Sequence, residues 1–225
     1  NHKNFLFAFI CLLLLPINSF SQKSDTEFLI SVIEKNVYSQ LLDETSEQEK
    51  EYINGKVFYK DDNLNKYLIF VETLCKKYIN KRDCPNLYYT TNNIVAAMYP
   101  NGTLVMNKEK ITLLNDNEYQ FILAHEFAHW HYEHSKLRAK EIAKSVVNNG
   151  IFVSDVEKLL GVAFLLPGMS DVHKGFEKQA DNFAFEYLKE NNMSINCKEM
   201  FKKLVKEDKI SEDKHDSVDI RCSLI

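Results

Sequence analysis

The amino-acid sequence predicts an α+β fold, mainly helical, in which a small β-sheet lies beside two helices that carry polar motifs. Three observations predict it. Long stretches on both sides of the chain's centre repeat apolar residues at helical spacing. Between them, residues 87–106 hold three short runs of strand-like composition around a turn signal. Two polar patterns, His125-Glu126-Phe127-Ala128-His129 and Glu177-Lys178-Gln179-Ala180-Asp181, fall inside helical stretches rather than between them.

The chain has 225 residues and a formal charge of -4. No basic stripe suggests nucleic acid, and no acidic tail suggests disorder. Residues 1–21 read as a signal peptide. Lys3 precedes an unbroken apolar run from Phe5 to Leu15, Pro16 and Asn18 break it, and Ser19-Phe20-Ser21 sets small residues where a signal peptidase reads. The run is short for a bilayer span, and a membrane anchor over residues 5–15 is the alternative. Cys11 lies inside the run, which argues against a lipid-modified start. The remaining ~200 residues suffice for one ordinary domain. Residues 22–85 are expected to form a helical scaffold packed in a single unit with residues 86–225, and the protein is expected to be periplasmic or secreted.

Export bears on the cysteines. Cys75, Cys84, Cys197 and Cys222 are an even number in an oxidising compartment. The favoured pairing is Cys75–Cys84, tying a helix end to the following strand, with Cys197–Cys222 tying down the C-terminal tail. Four free or buried thiols are the alternative. No C-x-x-C pair suggests a cysteine metal site.

The elements follow in order. Phe28, Ile30, Val32, Ile33, Val37, Leu41 and Leu42 mark a helix from Asp25 to about Glu51, which Asn54-Gly55 breaks. A second helix runs from about Asp62 to Asn80, with Lys76, Lys77, Lys81 and Arg82 near its end, where cations suit the helix dipole. Leu87–Thr91 and Ile94–Tyr99 read as strands; Pro100-Asn101-Gly102 turns the chain, and Thr103–Met106 returns, so the sheet is antiparallel in part. Asn115 with Glu118 forms a capping-box signature opening one helix through Ala139, running on toward Val147. Residues 154–164 read as a short helix, Lys174–Asn191 as a longer one, and Ile195–Lys206 as a last short one. The apolar segment Leu159–Leu166 is expected to pack over the motif helix or line a cleft, with peripheral membrane contact as the alternative.

Residues four apart share a helix face, so His125 and His129 can bind one ion together, while Glu126 can reach a metal-bound water. A hydrolytic zinc site needs three protein ligands and an open position. Glu177, on a separate helix 48 residues after His129, is the expected third, with one zinc ion per chain. His173, one turn earlier, is a rival. Asp181 shares Glu177's face and can accept a hydrogen bond from the far nitrogen of a ligating histidine. His131 and His134 read as surface or capping residues. The expected chemistry is peptide hydrolysis, with Glu126 as general base and His215, aided by Arg221, as donor to the developing oxyanion.

These motifs resemble those of the M48 metallopeptidases, the family of the membrane protease HtpX and its soluble periplasmic relatives, over roughly Ile94 to Arg221. The family's H-E-x-x-H corresponds to His125–His129 and its E-x-x-A-D to Glu177–Asp181, and Asn182–Leu188 continue in its character. The resemblance implies a zincin-type metallopeptidase domain with two histidines and a glutamate on zinc, Glu126 as catalytic base, and Asp181 behind the ligands or donating a proton. Many members carry a late H-P-x-x-x-x-R; His215 and Arg221 have that spacing, with Asp216 in place of the proline. Val95-Ala96 stands where relatives have Asn-Ala, and the resemblance implies that this edge strand binds an extended, unfolded polypeptide. Two further readings are an ImmA/IrrE-like regulatory metallopeptidase, and a non-catalytic, chaperone-like protein on the same fold.

Overall fold

The computed structural model describes residues 22–61, 63–79, 83–149, 169–204 and 218–223. The signal-peptide reading, the segment Leu159–Leu166 and His215 lie outside them. The described part is mainly helical with a four-stranded sheet, an α+β arrangement. In chain order the elements are α1 (Gln22–Tyr52), β1 (Gly55–Lys56), α2 (Asn65–Tyr78), β2 (Asn86–Thr90), β3 (Ala96–Met98), β4 (Thr103–Asn107), α3 (Lys108–Ile111), α4 (Asp116–His131), α5 (His134–Asn148), α6 (Met169–Glu190), α7 (Cys197–Leu204) and α8 (Val218–Cys222). None of these helices is long and apolar enough to cross a membrane.

The strand order is β1-β2-β4-β3. β4 lies inside the sheet and is buried along its length, pairing in parallel with β2 and antiparallel with β3. β3 is therefore an edge. β1 pairs antiparallel with β2, so the stretch expected only to break a helix also closes the other side of the sheet. Leu87, Leu104 and Met106 from the strands meet Tyr67, Val71 and Leu74 of α2 and Phe121, Leu123 and Phe127 of α4 in one core. A second cluster seats α1 on α5 through Val37, Ala139, Ile142 and Val146. The long N-terminal helix thus buttresses the segment following the metal motif, and Glu49 near its end accepts hydrogen bonds from Asn101 and Thr103 at 2.6 and 2.5 Å.

Both favoured disulfides are present, Cys75–Cys84 and Cys197–Cys222. The first joins the end of α2 to the approach to β2. The second joins the start of α7 to the end of α8.

The helix expected to run from Asn115 through Ala139 is two helices. The capping box is as read: the Asn115 side chain accepts from the Glu118 amide at 3.0 Å and Glu118 accepts from the Asn115 amide at 2.8 Å. The helix stops at Tyr132, and Glu133 adopts a left-handed conformation with φ of 57° before α5 begins. Neither residue is a usual breaker. What selects the break is tertiary: it turns α5 onto α1 and buries His134, which reads from sequence as a surface or capping residue and in fact opens α5.

Gly102 closes the turn between β3 and β4. Its φ of +86° disfavours a side chain, and an added Cβ would lie 3.0 Å from the Trp130 ring. Gly102→Ala is therefore expected to destabilise the fold by about 1–3 kcal/mol, read as a lower urea midpoint at unchanged slope. A variant as stable as the parent would show that the turn and Trp130 relax freely.

Candidate metal centre

Helices α4 and α6 pack side by side. Ala124 and Ala128 on one and Ala180 and Ala184 on the other are fully buried, and such small side chains let two helix backbones come close. That packing brings His125, His129 and Glu177 together, one ligand atom from each lying within 4.8 Å of the others. The Nε2 atoms of the two histidines are 3.2 Å apart. His125 Nε2 lies 3.4 Å from one Glu177 oxygen and His129 Nε2 lies 3.5 Å from the other. With metal bonds of about 2.1 Å, neighbouring corners of a tetrahedral site are about 3.4 Å apart. The separations are close to that figure, with each imidazole facing a different Glu177 oxygen, so the three side chains can hold a small divalent cation between them. His173 stands outside this set, its Nε2 3.9 Å from a Glu177 oxygen, and lines the cleft beside it.

Each histidine is held from behind through its other nitrogen. His125 Nδ1 lies 2.9 Å from Asp181 Oδ1, and Asp181 is 1% exposed. Arg221 clamps the same carboxylate with two bonds, Nε to Oδ2 at 2.8 Å and Nη2 to Oδ1 at 2.7 Å, while its guanidinium lies over the Phe201 ring. Asp181 thus sits behind His125 and off the cleft wall, while Arg221 both clamps it and lines the cleft itself. On the other side, His129 Nδ1 lies 2.8 Å from His134 Nδ1, and His134 Nε2 lies 3.0 Å from Gln179 Oε1. His131 is half-buried among the rings of Tyr78, Phe127 and Phe183, not on the surface. Sequence reading missed His134 and Gln179, because nothing local marks the break at Glu133 that aims His134 back.

The charges follow from this geometry. Burial opposes a charged His125, but Asp181 and Glu177 outweigh it and raise its pKa to about 10. Burial, then the neighbouring His125, lowers His129 to about 3. Burial would raise the Asp181 carboxyl; His125 and Arg221 outweigh it and hold the group below its ordinary value. The Asp181 and Glu177 carboxylates thus favour a positive charge on or beside His125.

Glu126 lies beside this cluster. Its Oε2 accepts a hydrogen bond from the Met98 amide of β3 at 2.9 Å. Val95 and Tyr99 turn their bonds toward β4, so the alternate residues Ala96 and Met98 face outward from the sheet edge. That edge, Glu126 and the three clustered residues line one cleft of about 440 Å³.

An H-E-x-x-H helix beside a sheet edge, with a glutamate from a second helix completing the cluster, defines a zincin-like metallopeptidase fold. The chain belongs to peptidase family M48: residues 76–206, more than half of its 225, match that family. The match spans β2 to α7 and ends before His215 and Arg221. No curated protein and no solved structure is significantly similar to the chain.

Removing the carboxylate behind His125 tests the geometry. Asp181→Asn is expected to weaken zinc binding by about 10–100-fold, measured by competition with a chromophoric chelator. Unchanged affinity would show that the Asp181–His125 bond does not tune the site.

Proposed function

We propose that this protein is an exported zinc-dependent endopeptidase that cleaves extended or unfolded polypeptides. The observation that carries the reading is the convergence of His125, His129 and Glu177 on one point beside Glu126. Two imidazoles and a carboxylate are a donor set suited to zinc. Such an ion supplies Lewis acidity toward water and a carbonyl oxygen.

The protein's own groups do the rest. Glu126 takes the proton of the attacking water and passes it to the leaving nitrogen. The Met98 amide holds that carboxylate at the cleft edge while it is ionised. The outward backbone of Ala96 offers a substrate strand main-chain pairing, which reads extension rather than side-chain identity and suits unfolded chains. Asp181, braced by Arg221, orients His125. His215 is assigned the oxyanion-donor role on its spacing from Arg221, whose guanidinium is bound at the site. Export is supported by the two disulfides and by the signal-like composition of residues 1–21.

Glu126→Gln is expected to keep its zinc and to cleave an unfolded casein at least ~100-fold more slowly. Chelation of the parent should abolish cleavage, and added zinc should restore it. Parent-rate cleavage by Glu126→Gln would refute Glu126 as the base. A parent that holds stoichiometric zinc yet never cleaves unfolded chains would favour a non-catalytic role.

A further inference from the structure

We propose that His134 and Gln179 form a positioning relay that fixes the tautomer and ring plane of His129 as a metal ligand; the inference rests on the metallopeptidase reading above. His129 faces the cluster through Nε2, 3.2 Å from His125 Nε2 and 3.5 Å from Glu177. An imidazole that binds a cation through Nε2 must be neutral and carry its proton on Nδ1. That Nδ1 lies 2.8 Å from His134 Nδ1, so only one of the two nitrogens bears the proton. The far nitrogen of His134 decides which one. His134 Nε2 lies 3.0 Å from Gln179 Oε1, a carbonyl oxygen that only accepts. His134 therefore carries its proton on Nε2 and donates it to Gln179. Its Nδ1 is left as an acceptor, and His129 Nδ1–H donates to it. The chain of donors runs one way, from His129 to His134 to Gln179, and leaves the His129 Nε2 lone pair aimed at the cluster.

The fold builds this relay from separate parts. On an unbroken helix, the residue five positions after His129 would point about 140° away from it. The left-handed Glu133 removes that offset. His134 is 4% exposed and stacks on Phe176, with ring centroids 4.6 Å apart and planes 18° apart, so its ring has one orientation. Phe176 and Gln179 flank Glu177 on α6, so the helix supplying the third ligand also orients the second. The two histidine ligands are thus held by different chemistry: His125 by a carboxylate clamped to an arginine, His129 by a second imidazole ending on an amide.

The test measures zinc affinity by chelator competition in the full chain, alongside the melting temperature of each zinc-free protein. His134→Phe keeps the stacked ring but removes the acceptor, and is expected to bind zinc about 10–100-fold more weakly. His134→Asn places an acceptor oxygen near the lost Nδ1 and should recover most of that affinity. Gln179→Met should show a smaller loss, while Gln179→Glu, which still accepts, should show none. Zinc-free melting temperatures close to the parent's in all four variants separate positioning from packing. Parent-like affinity in His134→Phe, or equal losses in the Phe and Asn variants, would overturn the relay. If the parent itself takes up no zinc, the metallopeptidase reading fails, and the relay with it.

Discussion

The structure depends on one electrostatic constraint: two imidazole nitrogens and a carboxylate are held within about 3.5 Å of one another in a buried place. Electron-rich groups do not collect there by themselves, since each loses its hydration and gains a repulsive neighbour. The packing of α4 on α6 imposes their meeting, and a shared positive charge makes it favourable. The groups behind the clustered side chains are arranged to suit that charge. Asp181 is neutralised by Arg221, so it can orient His125 without adding an uncompensated anion to the core. His134 and Gln179 orient His129 with no formal charge at all.

The sheet serves the same centre. β4 is spent on the core, whereas β3 is left at the edge with two residues turned outward. One outward amide, that of Met98, already binds Glu126, which places the sheet edge and that carboxylate in a fixed relation. A strand docking beside Ala96 would therefore lie at a set distance from Glu126. The turn at Gly102, packed under Trp130 of α4, ties the sheet's edge to the motif helix from the other end.

Much of this was legible in the sequence because it rests on short-range rules. The four-residue spacing of His125 and His129 and of Glu177 and Asp181 needs only helical geometry, and the Asn115–Glu118 capping box marks its helix start without help from elsewhere. The cysteine pairings followed from chain proximity and an even count. What escaped notice depends on distant contacts. Glu133 carries no breaker signature, so the bend in the motif helix and the burial of His134 are visible only once α1 and α6 are in place. The parallel pairing of β2 with β4 needed the intervening β3 to fold to the far side, which composition does not encode. The Met98 amide is a backbone group and has no sequence signature at all.

The Cys197–Cys222 bond has a consequence for tolerance to change. Cys222 directly follows Arg221, and Cys197 opens α7, whose Phe201 lies under the guanidinium. The cross-link thus anchors the arginine to a neighbouring helix through its adjoining residue, independently of the thirteen positions 205–217 in between. Substitutions there that spare His215 are expected to leave the arginine's grip on Asp181 intact. A covalent clasp between two helices thus secures a contact that chain continuity alone would not.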